Sequence, residues 1–208
     1  MSASDPKILN ALASAIKAGK LSKADLASLA EKAYDAEAKA DYSDWASKCK
    51  TFGQLSDKPP RWLIHNLFPE KALTLIPAPS YNGKTWFSLQ SGLSLSTGRD
   101  LWTFKGPGEV VPCVYHVPEM NEAFVRDYMY KVGFKDSKDF YVRPMECDMW
   151  LLDDPYMLES SKGRYVFLDT MGYFNPADDS ASYAQSIGFA KLVYKLLLNG
   201  AIGVAALM

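Results

Sequence analysis

The sequence predicts an α/β fold in which a mainly parallel sheet is flanked by helices. From about residue 61 onward, short apolar segments of strand length alternate with segments whose apolar residues recur at helical spacing. The helical segments are preceded or followed by Gly or Asn, residues that are common at helix ends. With 208 residues, 48% of them hydrophobic, the chain suits one folded domain with a small appendage.

The apolar segments predict five strands, and the segments of helical period predict three principal helices. The first strand runs directly into a loop of Pro, Ser, Asn and Gly, and the first of these helices begins immediately after that loop. The predicted strands are 72–76, 111–117, 140–143, 165–168 and 201–207, and the predicted helices are 84–96, 122–132 and 182–198.

Residues 1–50 differ from the rest of the chain and predict a helical appendage, whereas residues 51–208 form the predicted core. Ala, Lys and Ser are abundant there, and leucines recur at helical spacing. Asp5 can cap a first short helix that ends at Gly19, and Ser22 can cap a second. Because such a hairpin is too small to be stable alone, we expect it to dock on the core or on another subunit.

Charge and cysteine content exclude several classes of protein. Lys and Arg total 23 against 24 Asp and Glu, and the net charge of −1 gives no global attraction to nucleic acid. No signal peptide or run of eighteen apolar residues is present, so we expect a soluble, cytoplasmic protein without a membrane partner. Cys49, Cys113 and Cys147 lack the CxxC spacing of zinc sites and are odd in number for a disulfide framework.

Residues 78–85 read A-P-S-Y-N-G-K-T and follow the GxxxxGK[ST] pattern of a phosphate-binding loop except at its first position, where Ala78 replaces the glycine. In such loops backbone N–H groups surround the phosphates, the lysine reaches the outer phosphates, and the Ser or Thr hydroxyl coordinates Mg²⁺. An alanine at position 78 costs little if its φ is negative. The loop therefore predicts binding of ATP and Mg²⁺, with cofactor contacts from Ala78, Pro79, Ser80, Tyr81, Asn82, Gly83, Lys84, Thr85 and Trp86.

Asp169 follows the apolar segment 164–168 and is the predicted magnesium carboxylate, together with Thr85. The carboxyl ends of parallel strands meet on the side of the sheet where ligands bind, so Asp169 is expected beside the loop. The alternative is an aspartate that only caps the turn after it.

Glu119 follows another predicted strand and is the predicted catalytic base, acting with Lys84. A glutamate at this position can orient the water that attacks the γ-phosphate, which is otherwise a poor nucleophile. The alternative is a favourable contact with the N-terminus of the helix that begins near Asn121.

Four segments, taken in order, resemble the RecA-like ATPases of the RepA and DnaB helicase group. They are the run from Arg61 that reads R-W-L-I-H-N-L-F-P, the loop through Thr85, H-V-P-E-M-N-E-A-F around Glu119, and F-L-D-T-M-G-Y-F-N-P-A-D-D-S-A-S from Phe167. The resemblance covers roughly residues 55–208, and four segments in order are more specific than the loop alone.

The resemblance implies a RecA-like P-loop fold and an ATPase that works in DNA replication, helicase action or recombination. It implies that Lys84 and Thr85 bind phosphate and magnesium, that Glu119 is the general base, and that Asp169 is the magnesium carboxylate. It further implies a homo-oligomer, with a hexamer as the expected form, and single-stranded DNA as a partner.

Two features depart from that group. Gly172 and Tyr173 stand where relatives often carry arginine, and the sequence ends at Met208, where relatives continue into sensor residues and an arginine finger. We therefore expect the core to be incomplete at its C-terminus, and hydrolysis to be slow or binding to occur without turnover.

Two other functions remain open on the sequence. One is a nucleotide-binding regulator or assembly module in which ATP only sets the conformation. The other is a small-molecule or nucleotide kinase, although its usual arginine-rich lid is not evident between Asp169 and Met208.

Overall fold

The computed structural model describes residues 43–79, 82–135, 137–174 and 183–208. The chain divides into two units, residues 1–58 and residues 59–208. In the first unit, the described residues form two 3-10 helices, Ser43–Lys48 and Phe52–Gln54. The two short helices predicted within residues 1–40 lie outside the described residues, and the boundary at residue 50 stays a prediction.

The second unit is built around a sheet of five parallel strands. A short antiparallel pair, β1 (Trp62–Ile64) and β2 (Phe68–Pro69), precedes it in the chain. The sheet strands are β3 (Leu73–Ile76), β4 (Cys113–His116), β5 (Phe140–Arg143), β6 (Tyr165–Leu168) and β7 (Gly203–Leu207). Their order is β3-β7-β6-β4-β5, which confirms the predicted α/β fold and agrees with a RecA-like P-loop core.

Four helices connect the strands of the sheet. They are α1 (Lys84–Thr97), α2 (Glu122–Val132), α3 (Pro155–Ser161) and α4 (Tyr183–Leu198), and a 3-10 helix spans Met171–Phe174. The α1 and α2 helices end at Gly98 and Gly133, which adopt the left-handed conformation that glycine accepts without strain. Within the described residues, no helix combines the length and the apolar content needed to cross a membrane.

The helices cover the two faces of the sheet and bury one apolar cluster on each. On the first face, Leu89 and Leu95 of α1 and Val125 of α2 share a cluster with β4 and β6 side chains. On the second face, Met157 of α3 and Phe189 of α4 share a cluster with the alternate residues of the same strands. Burying such a side chain stabilises the fold by about 1.5–3 kcal/mol.

The sequence did not predict β1, β2 or α3. The two strands contain three and two residues, which is too short for a recognisable period. The α3 helix has seven residues, but its start carries a signal, because Asp154 caps it and Pro155 occupies its first position. The Asp154 side chain accepts a hydrogen bond from the Tyr156 N–H at 2.8 Å.

His116, the last residue of β4, is buried on the second face of the sheet at 2% exposure. Its ring lies 6.0 Å from Phe174 and 6.3 Å from Trp150, and its Nε2 has no hydrogen-bond partner among the described residues. Burial, followed by the charge of Arg143, lowers the pKa of His116 to about 3. The imidazole is therefore neutral in the folded protein at any pH above that value.

We expect His116 to make the fold less stable in acid. The pKa of His116 is lower in the folded chain than in the unfolded chain, where it is about 6.5. The stability of the fold is therefore fully retained above pH 6.5 and is lost as pH falls from there toward the pKa of the folded chain. Between pH 7 and pH 5 this residue should remove about 2 kcal/mol from the free energy of unfolding.

Denaturant unfolding of His116→Leu at the two pH values measures this contribution. Between pH 7 and pH 5, the free energy of unfolding of the variant should fall by about 2 kcal/mol less than that of the wild type. His65→Gln, which removes an exposed histidine, is the control variant for the loss of an imidazole. If the free energy of unfolding of His116→Leu depends on pH as strongly as that of the wild type, His116 is not the source of this pH dependence.

Candidate active site

The loop predicted to bind phosphate lies at the carboxyl edge of the sheet, between β3 and α1. The Ala78 N–H donates to the carbonyl of Met208 at 3.5 Å, which joins the start of the loop to the end of β7. Ala78 is not among the residues of positive φ, so this position does not require glycine. Ser80 and Tyr81 lie outside the described residues.

The α1 helix begins at Lys84 without a spacer, as the sequence predicts. Gly83 precedes it with a φ of 76°, in the left-handed region, so a side chain here would strain the backbone. The Phe87 N–H donates to the Gly83 carbonyl at 2.9 Å, as the first bond of the helix. The preceding N–H groups of the helix have no helical acceptor, and they form the kind of N-terminus at which anions bind.

The Lys84 side chain turns back across the loop. Its Nζ donates to the carbonyl of Ala78 at 2.5 Å. The ammonium group therefore lies between the start of the loop and the first turn of α1. A phosphate in that space would meet both the positive charge and the free N–H groups.

Thr85 and Asp169 meet across the carboxyl edge of the sheet. The Thr85 hydroxyl donates to Oδ2 of Asp169 at 2.9 Å, although the two residues lie 84 positions apart. Because the hydroxyl gives its proton to the carboxylate, its lone pairs remain available to a cation. The end of the loop is therefore in contact with the residue that follows β6.

Asp169 is almost fully buried, with 1% exposure. Burial raises its pKa, and hydrogen bonds from Tyr115 and Thr85 together with the charge of Lys84 act in the opposite direction. Tyr115 donates from its hydroxyl to Oδ2 at 2.5 Å. The carboxylate therefore accepts hydrogen bonds from side chains of α1 and β4. In the alternative interpretation of the sequence, Asp169 would only cap the turn that follows it.

Tyr115 is a residue that the sequence reading missed. It lies four residues before Glu119 and directly opposite Phe167 in the β4–β6 register. Residues two apart in a strand share a face, so Asp169 follows Phe167 on the same face as Tyr115. This pattern could have identified Tyr115 only if β4 and β6 were known to be neighbours.

Glu119 lies three residues beyond β4 and is exposed at the same edge of the sheet. Partial burial of the carboxyl group and then the charge of Asp169 raise its pKa, while the charge of Lys84 lowers it. Glu119 is therefore within electrostatic range of both residues. The N-terminus of α2 is occupied by other groups, since Asn121 accepts from the Phe124 N–H at 3.0 Å and Glu146 accepts from the Glu122 N–H at 3.0 Å.

Trp86 projects from the first turn of α1 toward α2. Its ring stacks on Tyr128, with the ring centroids 5.4 Å apart and an angle of 27° between the planes. The side chain is 36% exposed, so one part of the indole packs between the helices and another part faces solvent. Its contact with nucleotide stays a prediction.

The oxygen groups at this edge suit a magnesium ion. Mg²⁺ prefers hard oxygen ligands, keeps several waters, and is commonly held by one or two carboxylates together with substrate phosphates. Thr85 and Asp169 supply one hydroxyl and one carboxylate, already joined by a hydrogen bond. These two residues would hold the ion, and the remaining positions would be left to water and phosphate oxygens.

A cavity of about 740 Å³ lies between α2 and β5. Its apolar lining includes Val125, Met129, Phe134 and Val142. Among the predicted nucleotide and magnesium residues that the structure describes, none lines it. Its size therefore does not identify the nucleotide site, which is defined by backbone N–H groups and charges rather than by an apolar hollow.

Comparison with known proteins identifies the family of the chain. No curated protein matches the sequence significantly. A family model described as an AAA domain matches residues 46–196, which is more than half of the 208 residues. The match supports a P-loop ATPase fold and a nucleotide-binding function of the ATPase type. The chain therefore belongs to the AAA domain family.

Proposed function

We propose that this protein binds ATP with magnesium at the loop 78–85 and hydrolyses it. The observation that carries the proposal is the hydrogen bond between Thr85 and Asp169, which joins the start of α1 to the end of β6 at 2.9 Å. A hydroxyl and a carboxylate in contact beside free helix N–H groups are what a nucleotide–magnesium complex needs. The free N–H groups and Lys84 provide the anion-binding half of the same site.

In the proposed reaction, water attacks the γ-phosphorus of ATP, and the bond from that phosphorus to the oxygen bridging the β- and γ-phosphates breaks, which releases ADP and phosphate. Glu119 orients the water and accepts its proton, which is why its exposed position near Asp169 and Lys84 matters. Lys84 binds the outer phosphates and offsets the charge that develops on them. Magnesium, when bound, neutralises charge on the phosphate oxygens. Thr85 and Asp169 would hold the ion.

Release of phosphate from ATP by the purified protein tests this proposal. We expect saturable ATP binding and slow phosphate release, and we expect release to stop when EDTA removes magnesium. Binding without release, even at high protein concentration and with single-stranded DNA added, would favour the nucleotide-binding regulator. Transfer of the γ-phosphate to an acceptor other than water would favour the kinase. Absence of saturable binding would contradict all three.

We propose further that the protein is of the RepA and DnaB helicase type and acts in DNA replication or recombination as a cytoplasmic homo-oligomer. The resemblance of the segments around Trp62, Thr85, Glu119 and Asp169 supports this assignment. In such assemblies one subunit completes the site of the next, and a hexamer is the expected form. Sedimentation with and without ATP tests the assembly, and a single species of monomer mass in both conditions would contradict it.

Single-stranded DNA is the proposed polymeric partner. The net charge of −1 provides no general attraction, so binding would depend on a local group of basic residues. Titration of a labelled single strand at several salt concentrations tests this. We expect affinity to fall as salt rises, because phosphate contacts release counterions. No binding at low salt, with or without ATP, would contradict the proposal.

A further inference from the structure

Two hydroxyl groups donate to one oxygen of the buried Asp169 carboxylate. The Tyr115 hydroxyl lies 2.5 Å from Oδ2, and the Thr85 hydroxyl lies 2.9 Å from the same atom. Neither of these bonds uses Oδ1. The carboxylate therefore has one oxygen committed to protein donors, and rotation about its last torsion angle would break both bonds.

The sheet fixes the Tyr115 hydroxyl in this position. Tyr115 is opposite Phe167 in the register of β4 and β6, and Asp169 lies two residues farther along on the same face. The long tyrosine side chain spans this diagonal, as its hydrogen bond to Asp169 shows. The Tyr115 ring packs against Phe140 at 6.1 Å and Phe167 at 5.8 Å between ring centroids, and the residue is 1% exposed. The hydroxyl consequently has little freedom to leave Asp169.

Without Tyr115, only Thr85 would hold the carboxylate, and the Thr85 oxygen also has to face the ion. The terminal torsion of an aspartate is broad, so one remaining bond would allow several orientations of the carboxylate. Loss of a group that hydrogen-bonds to a metal ligand and so orients it commonly lowers metal affinity by about 10- to 100-fold.

We propose that Tyr115 is a positioning residue of the magnesium site, whose hydroxyl holds the Asp169 carboxylate in the single orientation that serves the ion. The inference rests on the proposed function, because it requires ATP and magnesium to bind at this edge of the sheet. Tyr115 touches neither of them directly. It acts through Asp169.

The test is the Tyr115→Phe variant, which keeps the packed ring and removes only the hydroxyl. The affinity for a fluorescent ATP analogue is measured by equilibrium titration at a series of Mg²⁺ concentrations. The quantity compared is the Mg²⁺ concentration that gives half of the full magnesium-dependent increase in this affinity. We expect this concentration to rise about tenfold in the variant. Affinity for the analogue in EDTA should stay at the wild-type value, because the loop and Lys84 are unchanged.

Tyr165→Phe is the matched control. Tyr165 is a fully buried tyrosine of β6 in the same apolar cluster, and its hydroxyl makes no hydrogen bond to Asp169. It lies four residues before Asp169, about 13 Å along the strand. We expect its magnesium dependence to match the wild type. An equal shift in both variants would mean that any lost buried hydroxyl has this effect, and would overturn the proposal.

A double-mutant cycle with Asp169→Asn gives a second measurement. If Tyr115 acts through Asp169, adding Tyr115→Phe to Asp169→Asn should change the magnesium dependence by less than about twofold. A full tenfold shift in that background would overturn the proposal.

The same titrations separate a failure of this inference from a failure of the proposed function. If the wild type binds the analogue in a magnesium-dependent way and Tyr115→Phe does so equally well, only the role of Tyr115 fails. If the wild type binds no analogue, the proposed function fails with it.

Discussion

Glu119→Gln should reduce phosphate release by about 100- to 10,000-fold while leaving ATP affinity within about twofold of the wild type. The amide is the same size as the carboxylate, but it cannot accept a proton from the attacking water. Binding depends instead on the loop, Lys84 and the magnesium ligands, which the substitution does not alter. Single-turnover phosphate release and equilibrium titration with ATP, measured on the same preparation, separate the two effects.

The control for this variant is Glu122→Gln. Glu122 lies three residues farther along, in the first turn of α2, and borders the cavity between α2 and β5. It should retain wild-type phosphate release. Release by Glu119→Gln at the wild-type rate would show that Glu119 is not the base. Equal loss of release and of binding would show that it acts in binding.

Lys84→Ala should weaken ATP binding by roughly 10- to 100-fold, and phosphate release should fall at least as far. The Lys84 ammonium group lies across the loop, where its Nζ donates to the Ala78 carbonyl. Its removal takes away a positive charge that the structure places at the start of this loop. The effect is expected on both binding and turnover, because the same charge meets the ground state and the transition state.

Lys105→Ala is the matched control for the loss of a lysine. Lys105 is exposed and forms an ion pair with Asp100 at 2.7 Å, on a different loop. Its replacement should leave ATP affinity and phosphate release unchanged. Unaltered ATP affinity in Lys84→Ala would contradict the assignment of the loop.

The alternation of apolar and helical segments was sufficient to predict the fold. All five parallel strands and the three principal helices were located, and the helix after the loop begins at Lys84 as predicted. The strand predicted at residues 111–117 is shorter in the structure, Cys113–His116. The flanking Val111 and Val117 are buried but have no paired residue in β5 or β6, so an apolar run alone overestimates the length of the strand.

The sequence could not predict which strands are neighbours. The β7 strand is last in the chain, yet it lies between β3 and β6. The β4 and β6 strands are adjacent, which places Tyr115 beside Asp169. That contact depends on the strand order and on the register, and local sequence contains neither of them. For this reason Asp169 was found from its position after a strand, whereas Tyr115 was not found.

The two readings of Glu119 could be compared only in three dimensions. From the sequence, a glutamate before a helix fits either a catalytic base or a contact with the N-terminus of the helix. In the structure, Asn121 and Glu146 accept hydrogen bonds from the first turn of α2. Glu119 is left near Asp169 and Lys84, and this arrangement supports the proposed role of Glu119 as the base.

The most direct test of the proposed site is a crystal structure of the protein with Mg²⁺ and a non-hydrolysable ATP analogue. The proposal predicts phosphates at the N-terminus of α1 within reach of Lys84, and Mg²⁺ beside Thr85 and Asp169. It also predicts a water near Glu119, in line with the γ-phosphate. A nucleotide bound elsewhere, such as in the cavity between α2 and β5, or an ion held without Thr85 and Asp169, would contradict it.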